Sequence, residues 1–443
     1  MRRGPLTLTL SPLRGARGRD SDLSRARLRL RHLPRPAKRG EGRGEGPRPL
    51  LALLVALAAT ACSRDINLLP PRADGSVAGD TSVTNPLCSG LGAPIQLPTA
   101  NGAACAAALA ARGHRFALCS CESVSAPARI RTDSFDSRLT PVFQETDAAI
   151  GIGGDLVANA EVRAGGALHV AGPGGIRTST QLRSAGSLRV GGPAMLSDQN
   201  VDIDTDAFVN GNVSGRLRVN GTLHVPPGAQ LTGGVEYTTL VNEAISVSPP
   251  CDCSAGFVNI TGAIAAATTT NADDAIGLQP TALADVTTPA NIVLPCGVFY
   301  LADIDAEAPV TLVVRGHTLL AIGGDVTARA GFIVQLDPSA ELDLLVGGQL
   351  IVTGGGTFGA AGAAPRFRVW VDSPTTVLFD GAPAINGVIH APTAPVTASG
   401  GLPLWGSLLA RSVAIGADSD LHFDRAIREA GTICNEPAAA PVD

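Results

Sequence analysis

The sequence predicts an all-β fold: a parallel, right-handed β-helix with a small Cys-rich N-terminal cap and one short helix. Three observations carry this. A G-x-L-x-V template recurs at Gly166–Val170, Gly186–Val190, Gly215–Val219 and Gly221–Val225, and the first two copies start 20 residues apart, a workable length for one solenoid coil. Within each copy the Leu and Val alternate with a polar residue, the period of a strand with one buried face. The composition agrees: aromatics are 3%, charged residues 16% and glycines number 52, so the core must come from Val, Leu, Ile and Ala in tightly stacked short strands.

The chain opens on a segment of different character. Residues 1–49 hold thirteen Arg and one Lys against Asp20, Asp22, Glu41 and Glu45, so the net charge of −5 divides into +10 there and −15 beyond. The Leu-Thr-Leu-Thr-Leu-Ser-Pro run near Thr7 and the Gly-Glu-Gly run near Gly42 read as complementary strands of one inverted repeat. We therefore expect a spurious or non-mature leader; the alternative is a basic nucleic-acid arm. Nucleic acid is excluded as a partner of the acidic body, because binding it requires cations to neutralise phosphates.

Residues 50–61 (LLALLVALAATA) have the length and apolarity of a signal-peptide h-region, too short to span a bilayer. They end in Ala59-Thr60-Ala61-Cys62, which resembles a bacterial lipobox. The resemblance implies cleavage before Cys62, a lipid on its thiol and amine, and, with Ser63 rather than Asp following, the outer membrane. Ordinary signal-peptidase cleavage is the alternative. Beyond Cys62 the eight cysteines fall into two groups, Cys88, Cys105, Cys119 and Cys121, then Cys251, Cys253, Cys296 and Cys434. Export implies disulfides; if each group pairs internally and neither Cys-x-Cys closes on itself, four of the 105 pairings remain. Zinc is the rival; the single-residue spacers and the lack of clustered His count against it.

The mature chain divides in order. Residues 62–85 carry the lipidated Cys and a polar tether, and 86–125 form the cap, with a helix over Ala103–Arg112 stopped by Gly113. Residues 126–235 form a first solenoid segment, 236–300 an irregular Cys-containing insert, 301–427 a second segment and 428–443 a tail. Gly323-Gly-Asp-Val326 and Gly347-Gly-Gln-Leu350 lie 24 residues apart and match Gly153-Gly-Asp-Leu156. Disulfide-bearing ends would protect the exposed sheet edges. A β-sandwich is the alternative for the second segment. His169, Arg189, Arg218 and His224 share one slot of the template, read as a solvated strand face.

The C-terminal stretch carries Gly387-Val-Ile-His-Ala-Pro392, Leu404-Trp-Gly-Ser-Leu-Leu-Ala410 and Leu421-His-Phe-Asp424. It resembles a domain family of unassigned function in bacterial surface lipoproteins, with His390 where Tyr is usual, and more distantly choice-of-anchor proteins and bactofilins. The resemblance implies a β-solenoid surface protein with no established reaction.

The sequence carries no convincing catalytic site. Asn271-Ala-Asp-Asp274 and Gly316-His317 echo polysaccharide-cleaving β-helices, but Thr318 follows the His, and no basic Arg-x-Lys motif exists where the only Lys is Lys38. His422 and Asp424 flank Phe423 and are placed to hydrogen-bond. Asp202, Asp204 and Asp206 alternate, which would put them on one strand face about 7 Å apart; this is the one candidate calcium site, with a solvated edge the alternative. No catalytic residue or cofactor is expected. The expected role is structural or adhesive: a lipid-anchored envelope protein facing a matrix, a polysaccharide or copies of itself.

Overall fold

A computed structural model describes residues 88–434 except 89, 140–141 and 255–256, and excluding the side chains of 431–434. The leader, the h-region, Cys62 and the tether lie outside the described residues. Among the described residues no helix is long and apolar enough to cross a membrane.

The body is a parallel β-solenoid with three strands per coil. Leu118–Ser120, Val124–Ala126 and Ile130–Phe135 make one coil. Ile150–Ile152, Leu156–Ala158 and Val162–Ala164 stack on it strand for strand, giving three continuous sheets. The predicted repeats are in register: Leu168 pairs with Leu188, Leu156 with Ile176, and Val326 with Leu350. Inward Leu, Val, Ile and Ala side chains fill the interior at near-zero exposure and form one core. The second segment is solenoid too, not a sandwich. Its terminal motif stacks two glycines: Gly406 (φ 151°) pairs with Gly387, whose carbonyl would collide with any Cβ added at Gly406.

The winding order differs from the linear succession expected. Strand Leu118–Ser120 lies between Ile150–Ile152 and Leu408–Ala410, and Ser419–Asp424 pairs residue by residue with Ile130–Phe135. The last coil of the second segment is thus the neighbour of the first coil of the first. One segment winds outward from this seam and ends at Val235–Asn242. The other begins at the opposite end with Ala290–Leu294 and winds inward to the seam. The stack is continuous, but the chain enters and leaves it in the middle.

Several boundaries move accordingly. Cys119 and Cys121 belong to the first coil, not to a cap. The insert is shorter than expected, because Val235–Asn242, Ala290–Leu294 and Gly297–Leu301 are strands. The cap itself is a hairpin, Gln96–Thr99 with Gly102–Cys105, followed by helix α1 (Ala106–Gly113), which starts later than expected. It covers a flank, not an end. There the sheet of Leu342, Leu344 and Val346 also turns Leu319, Leu345 and Trp370 outward, and these pack beneath α1 and helix α2 (Ile260–Ala267). Apolar side chains on the outer surface of a solenoid require such a cover.

Candidate functional site

The seam concentrates the features that a simple solenoid lacks. After Asn242 the chain returns from the far coil to Cys251, which is bonded to Cys119. Six strand-to-strand steps separate Val235–Asn242 from Leu118–Ser120. At about 4.8 Å each they span about 29 Å. Nine residues reach about 30 Å only when fully extended. The return segment is therefore a taut strap along the stack, with Ile245 and Val247 half-buried between exposed neighbours. Glu243 anchors its start on His224 at 2.7 Å. At its other end Gly151 makes room: a Cβ there would lie 3.0 Å from Cys119 Sγ and 3.1 Å from Pro250.

Two disulfides rivet the strap, Cys119–Cys251 and Cys121–Cys253, with Cα separations of 5.9 and 5.8 Å. A third, Cys88–Cys296, fixes the start of the described chain to the far coil of the second segment. All three run between the two cysteine groups, so the within-group scheme is corrected. The strap lying against the first coil, not nearness in sequence, brings Cys251 and Cys253 within bonding range of Cys119 and Cys121. Cys105 is also disulfide-bonded; the Cys434 side chain lies outside the described residues.

Beside the rivets sits a buried imidazole pair that sequence reasoning missed. Ser407 Oγ donates to the Phe116 carbonyl at 2.6 Å, so it accepts from His114 Nδ1 at 3.0 Å. His114 Nε2 is then the acceptor for His390 Nδ1 at 3.3 Å, which assigns both tautomers. Burial, and secondarily His390, holds His114 well below the usual histidine value. Burial pushes His390 down to about 4, against the pull of Asp252. Trp370 and Phe257 enclose the His390 ring. Ser407 is fully buried and its proton is committed to a carbonyl, so this Ser–His contact is a structural bond.

A cavity of about 320 Å³ opens next to the pair, lined by Arg112, Gly113, Arg115 and Phe116 from the end of α1 and by Pro250 and Asp252 from the strap. The Arg112 guanidinium lies 5.0 Å above the Phe257 ring. Among the described residues neither Arg112 nor Arg115 has an ion-pair partner. Asp252 Oδ1 accepts from the Ser254 amide and hydroxyl, at 3.2 and 2.7 Å.

The other candidates are dispersed. Asp202 is on strand Val201–Ile203, but Asp204 and Asp206 lie beyond its end, so the three do not share one strand face. Asp204 takes Arg183 at 3.0 Å and Asp206 accepts the Thr222 amide at 2.7 Å. Among the described residues no group of three acidic, His or Cys side chains is placed to hold a metal ion. His422 bonds Asp133 at 2.6 Å, not Asp424, which accepts from the Ser137 and Ala426 amides. Asp273 accepts the Tyr300 amide and His317 donates to the Gly92 carbonyl. The shared slot holds for His169, Arg189 and His224, but Phe208 stands between the last two and Arg218 pairs with Asp202 on another sheet. Arg189 lies 4.3 Å over Phe208, which stacks on His224.

A family profile described as a domain of unknown function (DUF7305) matches residues 246–430. The match takes in the strap from residue 246 on, α2 and the whole second segment. No curated protein matches the chain, and neither does any solved structure.

Proposed function

We propose that the mature protein is an exported cell-envelope lipoprotein of structural or adhesive role, anchored at Cys62 and displaying the solenoid outward. The observation that carries this reading is the set of bridges joining residues 132 and 208 positions apart. Such long-range structural disulfides persist in oxidising compartments and are rare in the cytosol. The h-region and the Ala-Thr-Ala-Cys62 motif support it from the sequence side. The bridge from Cys88 to Cys296 places the start of the described chain at the coil that begins with Ala290–Leu294. Intact-mass and N-terminal analysis of protein taken from its host's membranes tests this. An acylated Cys62 as first residue is expected; a cytoplasmic product retaining residues 1–49 would overturn it.

Self-assembly is the second reading, favoured by an asymmetry between the ends. Leu278, Leu283 and Val286 close the core at the end that begins with Ala290–Leu294. At the other end Leu231, Val235 and Leu240 are only half-buried and Tyr237 is 40% exposed. An uncovered last coil invites stacking. Sedimentation over a concentration series separates the two: a monomer throughout removes this second reading.

A further inference from the structure

We propose that the cavity between the end of α1 and the strap binds a carboxylate-bearing sugar unit of an acidic polysaccharide. This gives the adhesive role a ligand class and rests on that reading for its biological setting. Charge is the first argument. The chain beyond residue 49 carries −15, and arginines elsewhere on it are held in ion pairs, as Arg163 is by Glu145 at 2.6 Å and Arg329 is by Asp305. At this cavity Arg112 and Arg115 have no ion-pair partner among the described residues, and Arg428 braces the site from outside its lining by donating to the Arg115 carbonyl at 3.1 Å. A guanidinium fork suits a carboxylate.

The lining then selects among anions. The Phe116 ring and Pro250 are apolar walls of the kind that pack against the C–H face of a pyranose. Asp252 faces the same space and can accept from sugar hydroxyls, whereas its charge disfavours a phosphate dianion. The volume, about 320 Å³, lies at the small end of ligand sites and suits one sugar unit.

The site is also pre-organised. Asp252 stands between Cys251 and Cys253, both bonded to the first coil, and Ser254 holds its carboxylate. Fixing the ligating groups before binding lowers the ordering cost of the complex.

Calorimetry on the oxidised mature chain tests the assignment, with trigalacturonate and glucuronate as acidic probes, maltotriose as the neutral one and inorganic phosphate as the simple anion. An acidic probe is expected to bind at least about tenfold more tightly than maltotriose or phosphate. The variant Arg112→Gln/Arg115→Gln is expected to lose about tenfold with its thermal midpoint unchanged, because both side chains are exposed. Asp252→Asn should narrow the preference for sugar over phosphate. No binding of either acidic probe, phosphate binding as tightly, or a double variant that binds normally would each overturn the proposal. Failure here with Cys62 acylated would leave the envelope reading standing. Binding by a cytoplasmic protein would sink only the latter.

Discussion

At the scale of single residues, Arg368, Asp343 and Glu341 form a buried charge cluster. Arg368 donates to Asp343 at 2.8 Å and to Glu341 at 2.7 Å, and Trp370 Nε1 donates to Asp343 at 2.8 Å, all beneath the helical cover. Removing one partner of a buried pair strands the other. Asp343→Ala is therefore expected to cost about 3–5 kcal/mol in urea unfolding; a cost under about 1 kcal/mol, typical of an exposed pair, would contradict it. The histidine pair predicts a pH dependence. The unfolded chain binds protons at both imidazoles near pH 6.5, while in the fold both stay neutral, His390 down to about 4. Stability is then full above about pH 6.5 and falls as pH drops towards about 4. Urea midpoints across that range check this, and His390→Phe should flatten the slope. None of these pairings was legible in the chain. Spacing alone pairs His422 with Asp424, yet alternate residues on a strand face lie about 7 Å apart, whereas registered neighbours on adjacent strands lie about 5 Å apart. Asp133, the registered neighbour, is therefore the partner. The three aspartates around Asp204 fail for a different reason: a corner after Ile203 ends the alternation.

At the scale of elements, the strap and its rivets should behave unequally. By the chain-entropy account, closing a loop of 132 residues is worth about 5 kcal/mol, and a second bridge two residues away, closing a ring of only a few residues, about 2 kcal/mol. Cys251→Ser or Cys253→Ser alone should thus cost about 2 kcal/mol, and both together about 7 kcal/mol. Hydrogen exchange over residues 243–254 should rise sharply only in the double variant; equal costs that simply add would contradict the shared-loop argument. The solenoid strands of the first segment were legible because alternation is strict in, for example, Leu168–Val170 and Leu188–Val190. The helical cover is a finding of the structure alone. Glu341–Val346 and Phe367–Val371 are buried at every position, so each must be covered on both faces. What covers them could not be read, because α1 and α2 come from segments far away in sequence.

At the scale of the molecule, the period fixed the coil but carried no information about coil order. A stack read in sequence order and one entered at its middle have the same strands and the same alternation. Only the pairing of Ser419–Asp424 with Ile130–Phe135, and the bridges that cross between the halves, tell them apart. The arrangement explains why the cysteines sit where they do: the strap must be held against the very coil at which the chain entered. It also implies that neither half is complete alone. Residues 88–242 and 243–434, expressed separately, would each expose an unpaired seam of three strands and should aggregate, while co-expression should give a one-to-one complex. The most direct test of the account is disulfide mapping of the oxidised protein by mass spectrometry, with cleavage between Cys253 and Cys296. The account predicts the Cys119/Cys121 peptide linked to the Cys251/Cys253 peptide, and Cys88 linked to Cys296. Bridges confined to Cys88–Cys121 on one side and Cys251–Cys434 on the other would contradict the mid-stack entry and the strap together.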